Sequence, residues 1–398
     1  MYPSPLKVLI GHNYYRSSAP SGEDAVFENE QRLLVSRGVE VIPFTRHNDD
    51  IDDSTFGKRI NLALSSAWSK KTYTAISRVI EDARPDVAHF HNTFPQISPS
   101  AYAACQDHDV PVVQTLHNFR LICPGALLQR DGKPCEDCVD RTLLPALRHR
   151  CYRGSLTATG AQVWMLSYNR LRKSYTRLVD RYIALTEFAA GRLQRGGLPV
   201  GRFNKKPNFL PNAPTIGKGE GGYAVFVGRL SKEKGVRTLI KAWESLRHLP
   251  LKVLGDGPLN EELRTIAAQK NLPVDFLGYQ THDNIITIVR DAAMLLAPSE
   301  WYEGFPMVIL EAYACGTPVV ASRIGGLDEI VIENQTGKKF IPGNIESLAE
   351  CVDNLLSSPD LLTSLRAKVR NQFDQLYSAE QNYQQLMEIY QQVLEAYK

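Results

Sequence analysis

The chain has 398 residues, 43% apolar and 22% charged, with 46 Lys and Arg against 43 Asp and Glu. These are the fractions of a soluble globular protein, and at about one domain per ~150 residues they allow two to three domains with cores of their own. No run of about 18 uncharged apolar residues occurs, so no spanning helix is expected. The N-terminus starts a strand at once, without a charged segment leading into an apolar core, so no signal peptide is expected either.

The first half alternates strand-like runs with helical segments, as a parallel α/β sheet requires. KVLIGH, VEVIPFT, VAHFHN, VPVVQTLH and RYIALT are the strand candidates. A loop, HNYYRSSAPSGED at 12–24, follows the first strand. Residues 24–37 then have helical spacing, and Gly38 stops them. The acidic loop HNDDIDD holds one Asp-x-Asp, Asp50-Ile51-Asp52, and reads as solvated. His89 and His91 end the VAHFHN strand, either as satisfied structural histidines or, for His91, lining an acceptor pocket. His117 ends VPVVQTLH, at a strand's carboxyl end where open α/β sheets bind ligands. Arg120 follows it and suits an acid or phosphate on an acceptor.

Cys123, Cys135, Cys138 and Cys151 have the spacing C-x11-C-x2-C-x12-C in a stretch rich in turn formers. One C-x2-C pair with two further thiols is similar to a structural zinc knuckle, with His149 as a substitute ligand. A loop insertion with free thiols, or one redox-sensitive pair, is the other reading. Seven cysteines in all, with no export signal, read as reduced thiols of a cytoplasmic protein. From Arg141 to Arg181 there are nine basic residues and one acid, Asp180. Such a run is a solvated face, or one that holds an anionic acceptor or touches the inner face of a membrane. No helix-turn-helix, zinc-finger or RNP pattern accompanies it, so no nucleic-acid partner is expected.

KKPNFLPNAP, residues 205–214, reads as a linker. A second alternating series runs from Val225 to Phe340. YAVFVGRLSKEKGVRTLIKAW gives a strand, then Gly228-Arg229, then Lys234-Gly235 opening a helix. LKVLGDGP, VDFLGYQ and AMLLAPS give strands ending at Gly255, at Gly278-Tyr279 and at Pro298-Ser299. Gly255-Asp256-Gly257 lacks the third glycine of a dinucleotide fingerprint, since Asn260 stands there, so NAD is not expected. The last segment, with apolar residues from Tyr383 to Tyr397, reads as a long amphipathic helix.

PSEWYEGFPMVILEAYACGTPVVAS, residues 298–322, places Glu303 and Glu311 eight positions apart across a helix start. With Gly304-Phe305-Pro306 as the turn, Glu303 lies in the loop and Glu311 about one and a half turns inside. The free N–H groups of the first turn, those of Met307 and Val308 included, form an anion site.

These motifs in this order resemble those of retaining glycosyltransferases of the GT-B fold, family 4, over nearly the whole chain. The resemblance implies two doubly wound Rossmann-like domains facing an interdomain cleft. Residues 1–205 would form an acceptor-binding domain, joined by a helix of about 376–398 packing back on it. Residues 206–375 would bind the donor, a nucleotide-diphosphate sugar, with UDP-sugar first and GDP-sugar second. The acceptor would be a glycan or lipid-linked oligosaccharide in polysaccharide biosynthesis. Donor contacts would come from Gly22, whose family counterpart is a double glycine, from Gly228, Gly278 and Tyr279, and from Gly304 through Val308 with Glu311. Arg229 and Lys234 would offset the diphosphate charge without a catalytic metal, Glu303 would position the sugar, and His117 would touch it. No cofactor is required on this reading. The rival readings are a sugar-nucleotide epimerase of the same fold and a non-catalytic sugar-nucleotide-binding protein.

Overall fold

The computed structural model describes residues 5–18 and 21–397. Ala19 and Pro20 of the first loop lie outside the described residues. The chain forms two compact units.

The first unit comprises the described residues up to Leu128, Glu136–Asn208, and those from Asn382 onward. Its strands are β1 (Lys7–Tyr14), β2 (Glu40–His47), β3 (Val87–Phe90) and β4 (Val112–Leu116). A short antiparallel hairpin, β5 (Gln129–Arg130) and β6 (Lys133–Pro134), groups with the second unit. Then come β7 (Arg181–Ala184) and β8 (Phe203–Lys205). The main sheet is parallel in the order β2-β1-β3-β4-β7-β8. Chain direction across it reverses between β1 and β3, the position where open α/β sheets leave a crevice at their carboxyl ends.

Helix Gly22–Ser36 follows β1. Ser21 caps it and Asp24 reaches back to the Ser21 amide, a capping box that fixes where the helix starts. Gly38, at φ +79°, provides the left-handed turn that ends the segment. Val8, Ile10, Phe27, Val113 and Ile183 pack in one core with Leu386, Ile389, Tyr390 and Val393 of the last helix, Ala379–Ala396. Each such side chain contributes about 1.5–3 kcal/mol by leaving water.

The segment read as a linker opens inside β8, and Lys206, Asn208 and Phe209 are buried. Its prolines and asparagines shape an ordered path. The unit boundary falls at Asn208/Phe209 within it. The helix expected at about 376–398 is Ala379–Ala396, and a separate helix, Pro359–Leu376, precedes it.

The second unit carries β9 (Ala224–Val227), β10 (Leu251–Leu254), β11 (Val274–Gly278), β12 (Met294–Ala297), β13 (Val319–Ser322) and β14 (Gly337–Phe340). They form a parallel sheet in the order β11-β10-β9-β12-β13-β14. Its reversal lies between β9 and β12. Trp243 is fully buried beneath this sheet among Leu239, Leu246 and Leu263, and its indole N–H donates to the Leu249 carbonyl at 2.7 Å.

Candidate active site at the carboxyl edges of the two sheets

In the second unit the loops leaving β9, β10 and β11 are joined through their backbones. Gly228 N–H donates to Leu254 O at 2.9 Å, Gly255 N–H to Gly278 O at 2.7 Å, and Leu230 N–H to Asp256 O at 2.9 Å. Gly255 has φ +121°, and a Cβ there would lie 2.1 Å from Gly228 O. Only glycine permits that approach. Gly228 and Gly278 therefore lie side by side with Gly255 at one edge of the sheet. Tyr279 follows and is 87% exposed.

The loops after β9 and β12, on either side of the reversal, are joined more tightly. Glu300 N–H donates to Glu233 O at 2.8 Å, and Thr238 Oγ1 donates to Glu300 Oε1 at 2.7 Å. Gly235, at φ +67°, abuts Pro298, whose carbonyl oxygen would be 1.8 Å from an added Cβ. This junction brings Lys234 Nζ to 2.6 Å from Glu303 Oε1, which also accepts from Ser299 Oγ at 2.5 Å. Glu303 is buried. Burial alone would raise its carboxyl pKa, but the Lys234 charge and hydrogen bond, with the Ser299 hydroxyl, hold it below the usual carboxylate range. Glu303 is therefore ionised at neutral pH. Arg229 is exposed.

Pro306 is the N-cap of helix Met307–Ala314, and no side chain caps the first turn. The amides of Met307 and Val308 thus open a helix beside Gly304 and Glu303, while Phe305 is buried against Tyr377. Glu311, the helix's fifth residue, is mostly buried. His282 Nδ1 is 3.5 Å from its Oε1. Burial raises its carboxyl pKa, and His282 opposes that only in part.

In the first unit, His12, His91 and His117 leave the carboxyl ends of β1, β3 and β4. Glu30, fully buried on the first helix, accepts from Lys206 Nζ at 2.7 Å and from His91 Nε2 at 3.1 Å. Burial would raise its pKa, yet Lys206 and His91 hold it well below the usual range. Burial also pulls the pKa values of His89, His91 and His117 down. Neutral His91 must donate from Nε2 to the carboxylate, so its Nδ1 accepts. That nitrogen is 3.1 Å from His117 Nε2. His117 therefore donates from Nε2, and its Nδ1 is left as an acceptor. Both ring nitrogens of His91 are taken, so it supports His117 and offers no ring atom to an acceptor, contrary to the acceptor-pocket expectation.

Around the first loop, Glu23 accepts from Asn118 Nδ2 at 2.8 Å and from the Tyr15 hydroxyl at 3.0 Å. Arg120 is close enough to influence both. Its guanidinium stacks on Phe94 at 4.2 Å, and Nε and Nη1 are buried without a partner among the described residues. Gly22 begins the helix, and a Cβ there would meet nothing within 4 Å. The protein's own packing does not require a glycine at this position.

Cys123 and Cys138 are buried, and Cys135 and Cys151 are partly exposed. Cys123 Sγ and the Cys151 Cβ flank Gly125. Asp50-Ile51-Asp52 is exposed or half-exposed in the first unit, with Asp52 paired to Lys58. Among the described residues, the His/Cys/Asp/Glu group compact enough for an ion is Glu30, His89 and His91. Lys206 already provides the counter-charge there.

Sequence reasoning did not foresee Ser299, Glu30, Lys206 or Glu23. A buried Lys206 in a proline-rich stretch leaves no local pattern. Glu30 sits at a core position of its helix, and that is the one signal that marks it.

Comparison with known proteins agrees with this layout. The model for "Glycosyltransferase Family 4" matches residues 25–209, and that for "Glycosyl transferases group 1" matches residues 214–372. Glycogen synthase of Mycobacterium tuberculosis is 30% identical over 86% of this chain and 77% of its own length. An uncharacterized glycosyltransferase of Methanocaldococcus jannaschii is 30% identical over 44% of this chain, which spans half of that protein. Among solved structures, Anabaena HepE in complex with UDP superposes with a TM-score of 0.67 at 18% identity, covering 96% of this chain and 99% of that one. Sucrose-phosphate synthase of Thermosynechococcus elongatus gives 0.70 at 18% identity, over 98% and 100%. The two parallel sheets are those of the GT-B fold, and the chain belongs to the family 4 glycosyltransferases.

Proposed function

We propose that this chain is a retaining glycosyltransferase that moves a hexose from a nucleotide-diphosphate sugar to a glycan or lipid-linked oligosaccharide. UDP-sugar is the first choice of donor and GDP-sugar the second. The observation that carries the reading is the Lys234–Glu303 pair at 2.6 Å, beside an uncapped helix start with Glu311 one turn behind. Lys234 has three N–H donors and Glu303 engages one, so the others face the diphosphate oxygens. Arg229 and the Met307 and Val308 amides add to that charge stabilisation. Glu311 takes the ribose hydroxyls. Gly228, Gly278 and Tyr279 border the base, and Glu303 Oε2 meets a sugar hydroxyl. His117 accepts a sugar hydroxyl at Nδ1, and Arg120 binds an anionic group of the acceptor.

In the reaction the C1–O bond to the diphosphate breaks while the acceptor oxygen bonds C1 on the same face. The acceptor proton passes to the leaving diphosphate. No catalytic metal enters this scheme. The complexes of HepE with UDP and UDP-glucose support a uridine donor here.

The test is thermal stabilisation by UDP, GDP, ADP and TDP, each with and without EDTA. A ligand specific for the folded state adds about 2.7 kcal/mol at a hundredfold excess over its Kd. An EDTA-insensitive shift with one nucleotide is expected. Loss of the shift with EDTA overturns metal independence, and no shift with any nucleotide overturns the donor site. UDP release that does not rise with acceptor would point to the epimerase.

A further inference from the structure

We propose that three packed helices of the first unit, Phe56–Ala67, Leu144–His149 and Leu156–Leu171, form a face that docks on the surface of an anionic lipid bilayer. Among the described residues fifteen large apolar side chains are exposed, and seven of them lie on these helices. They are placed in register. Phe56, Ile60 and Leu64 recur every four residues along one stripe, and Phe56 is 75% exposed. Leu156, Trp164 and Leu171 recur at eight and seven residues along another, with Leu171 85% exposed. The two longer helices are fixed to each other by Asn169 Nδ2, which donates to Ala67 O at 3.1 Å. Isolated exposed apolar residues are ordinary on a soluble protein, but two such stripes on joined helices are not.

The charge around the stripes has one sign. Residues 54–80 hold five Lys and Arg and no acid, and residues 141–179 hold eight and no acid. The nearest preceding acids are engaged, Asp52 by Lys58 and Asp53 by Arg16. A cavity of about 600 Å³ opens beside Leu64. Arg46, Lys58, Trp68, Lys70 and Lys71 line it, with Asp50 and Asp52 also at its wall. The Arg172 guanidinium stacks on Trp68 at 4.1 Å, which keeps a cation beside the indole.

Exposed apolar stripes that include Phe56 and Trp164, on helices rich in cations and free of acids, match the interfacial zone of a bilayer containing anionic lipids. A protein partner would need matching acidic and apolar patches, whereas lipid supplies both by its nature. Among the described residues no helix is long and apolar enough to cross a membrane. The face therefore lies on the bilayer.

The test is co-sedimentation of the full chain with phosphatidylcholine vesicles, with and without phosphatidylglycerol. Binding at least tenfold tighter to the phosphatidylglycerol vesicles is expected. Phe56→Ser with Ile60→Ser and Leu64→Ser should reduce it at least tenfold. Lys70→Ala with Lys71→Ala should reduce it about thirtyfold at low salt. These side chains are exposed, so melting temperature should stay at the wild-type value and separate lost docking from lost folding. Equal binding to both vesicle types, binding to neither, or an apolar triple variant that binds like wild type overturns the proposal. The readout requires no nucleotide, so it holds or fails independently of the donor reading.

Discussion

At the scale of single residues, the candidate site of the second unit holds two carboxylates in opposite electrostatic settings. Glu303 is ionised because Lys234 and Ser299 outweigh its burial, and Glu311 is held above the ordinary range because little outweighs burial there. Replacing Arg229 and Lys234 together by alanine should reduce turnover about 10²–10³-fold or more, measured as acceptor-dependent nucleotide release. Turnover near wild type would remove them from charge stabilisation. Glu311→Ala should weaken nucleotide affinity by about tenfold or more, with little effect on melting temperature without nucleotide. Because the Glu311 carboxyl is raised, wild-type affinity should fall on acidification while ordinary carboxylates are still ionised. Titration calorimetry at several pH values would show this, and the variant should lack that phase. His117 needs no charge for its part, since the Glu30–His91 chain sets its tautomer. That detail was invisible in the sequence, where His91 and His117 are 26 positions apart and Glu30 lies in another element.

Among elements, the loops matter more than the helices they introduce. Gly235→Ala places a Cβ against the Pro298 carbonyl in a left-handed conformation. It should cost at least ~1–2 kcal/mol from the backbone alone and should separate Lys234 from Glu303. Gly22→Ala has open space and should leave the melting temperature unchanged or slightly higher, while weakening donor binding if a phosphate approaches the loop. Thermal melts with and without nucleotide distinguish the two. Most strands were legible in the sequence because buried parallel strands read as short apolar runs ended by glycine or histidine. The resemblance of the Glu303–Glu311 stretch indicated which edge of the second sheet to examine. What stayed hidden was β8, three residues long with none fully buried. The unit boundary does fall in the proline-rich stretch read as a linker, but periodicity cannot register its lysine buried against a distant glutamate. Those contacts are tertiary.

For the whole molecule, His89, His91 and His117 set the response to acid. Their folded pKa values lie below the unfolded value of about 6.5, so the unfolded chain binds protons first as pH falls. Stability should be full above that value and decline below it, by up to ~1.4 kcal/mol per pH unit for each histidine. Glu30 has a lowered carboxyl, so it adds a further loss that begins as pH falls through the ordinary carboxylate range and continues down to its lower folded pKa. A melting temperature that stays flat from pH 7.5 to 5.5 would contradict this account.

The bond between His89 Nδ1 and the Tyr390 hydroxyl, 2.7 Å long, joins residues 301 positions apart. It makes timing a property of the fold. On the ribosome, the first unit is made almost entirely before the second, yet Leu386, Ile389 and Val393 of its core arrive last. At ~5–20 residues per second, the roughly 170 residues between take on the order of ten to thirty seconds to translate. Throughout that interval the nascent first sheet has an apolar groove awaiting its final helix. A chain stopped before Leu386 would carry an intact second unit and a first unit whose core never closes. Damage at the C-terminus would thus be felt as instability near the N-terminus.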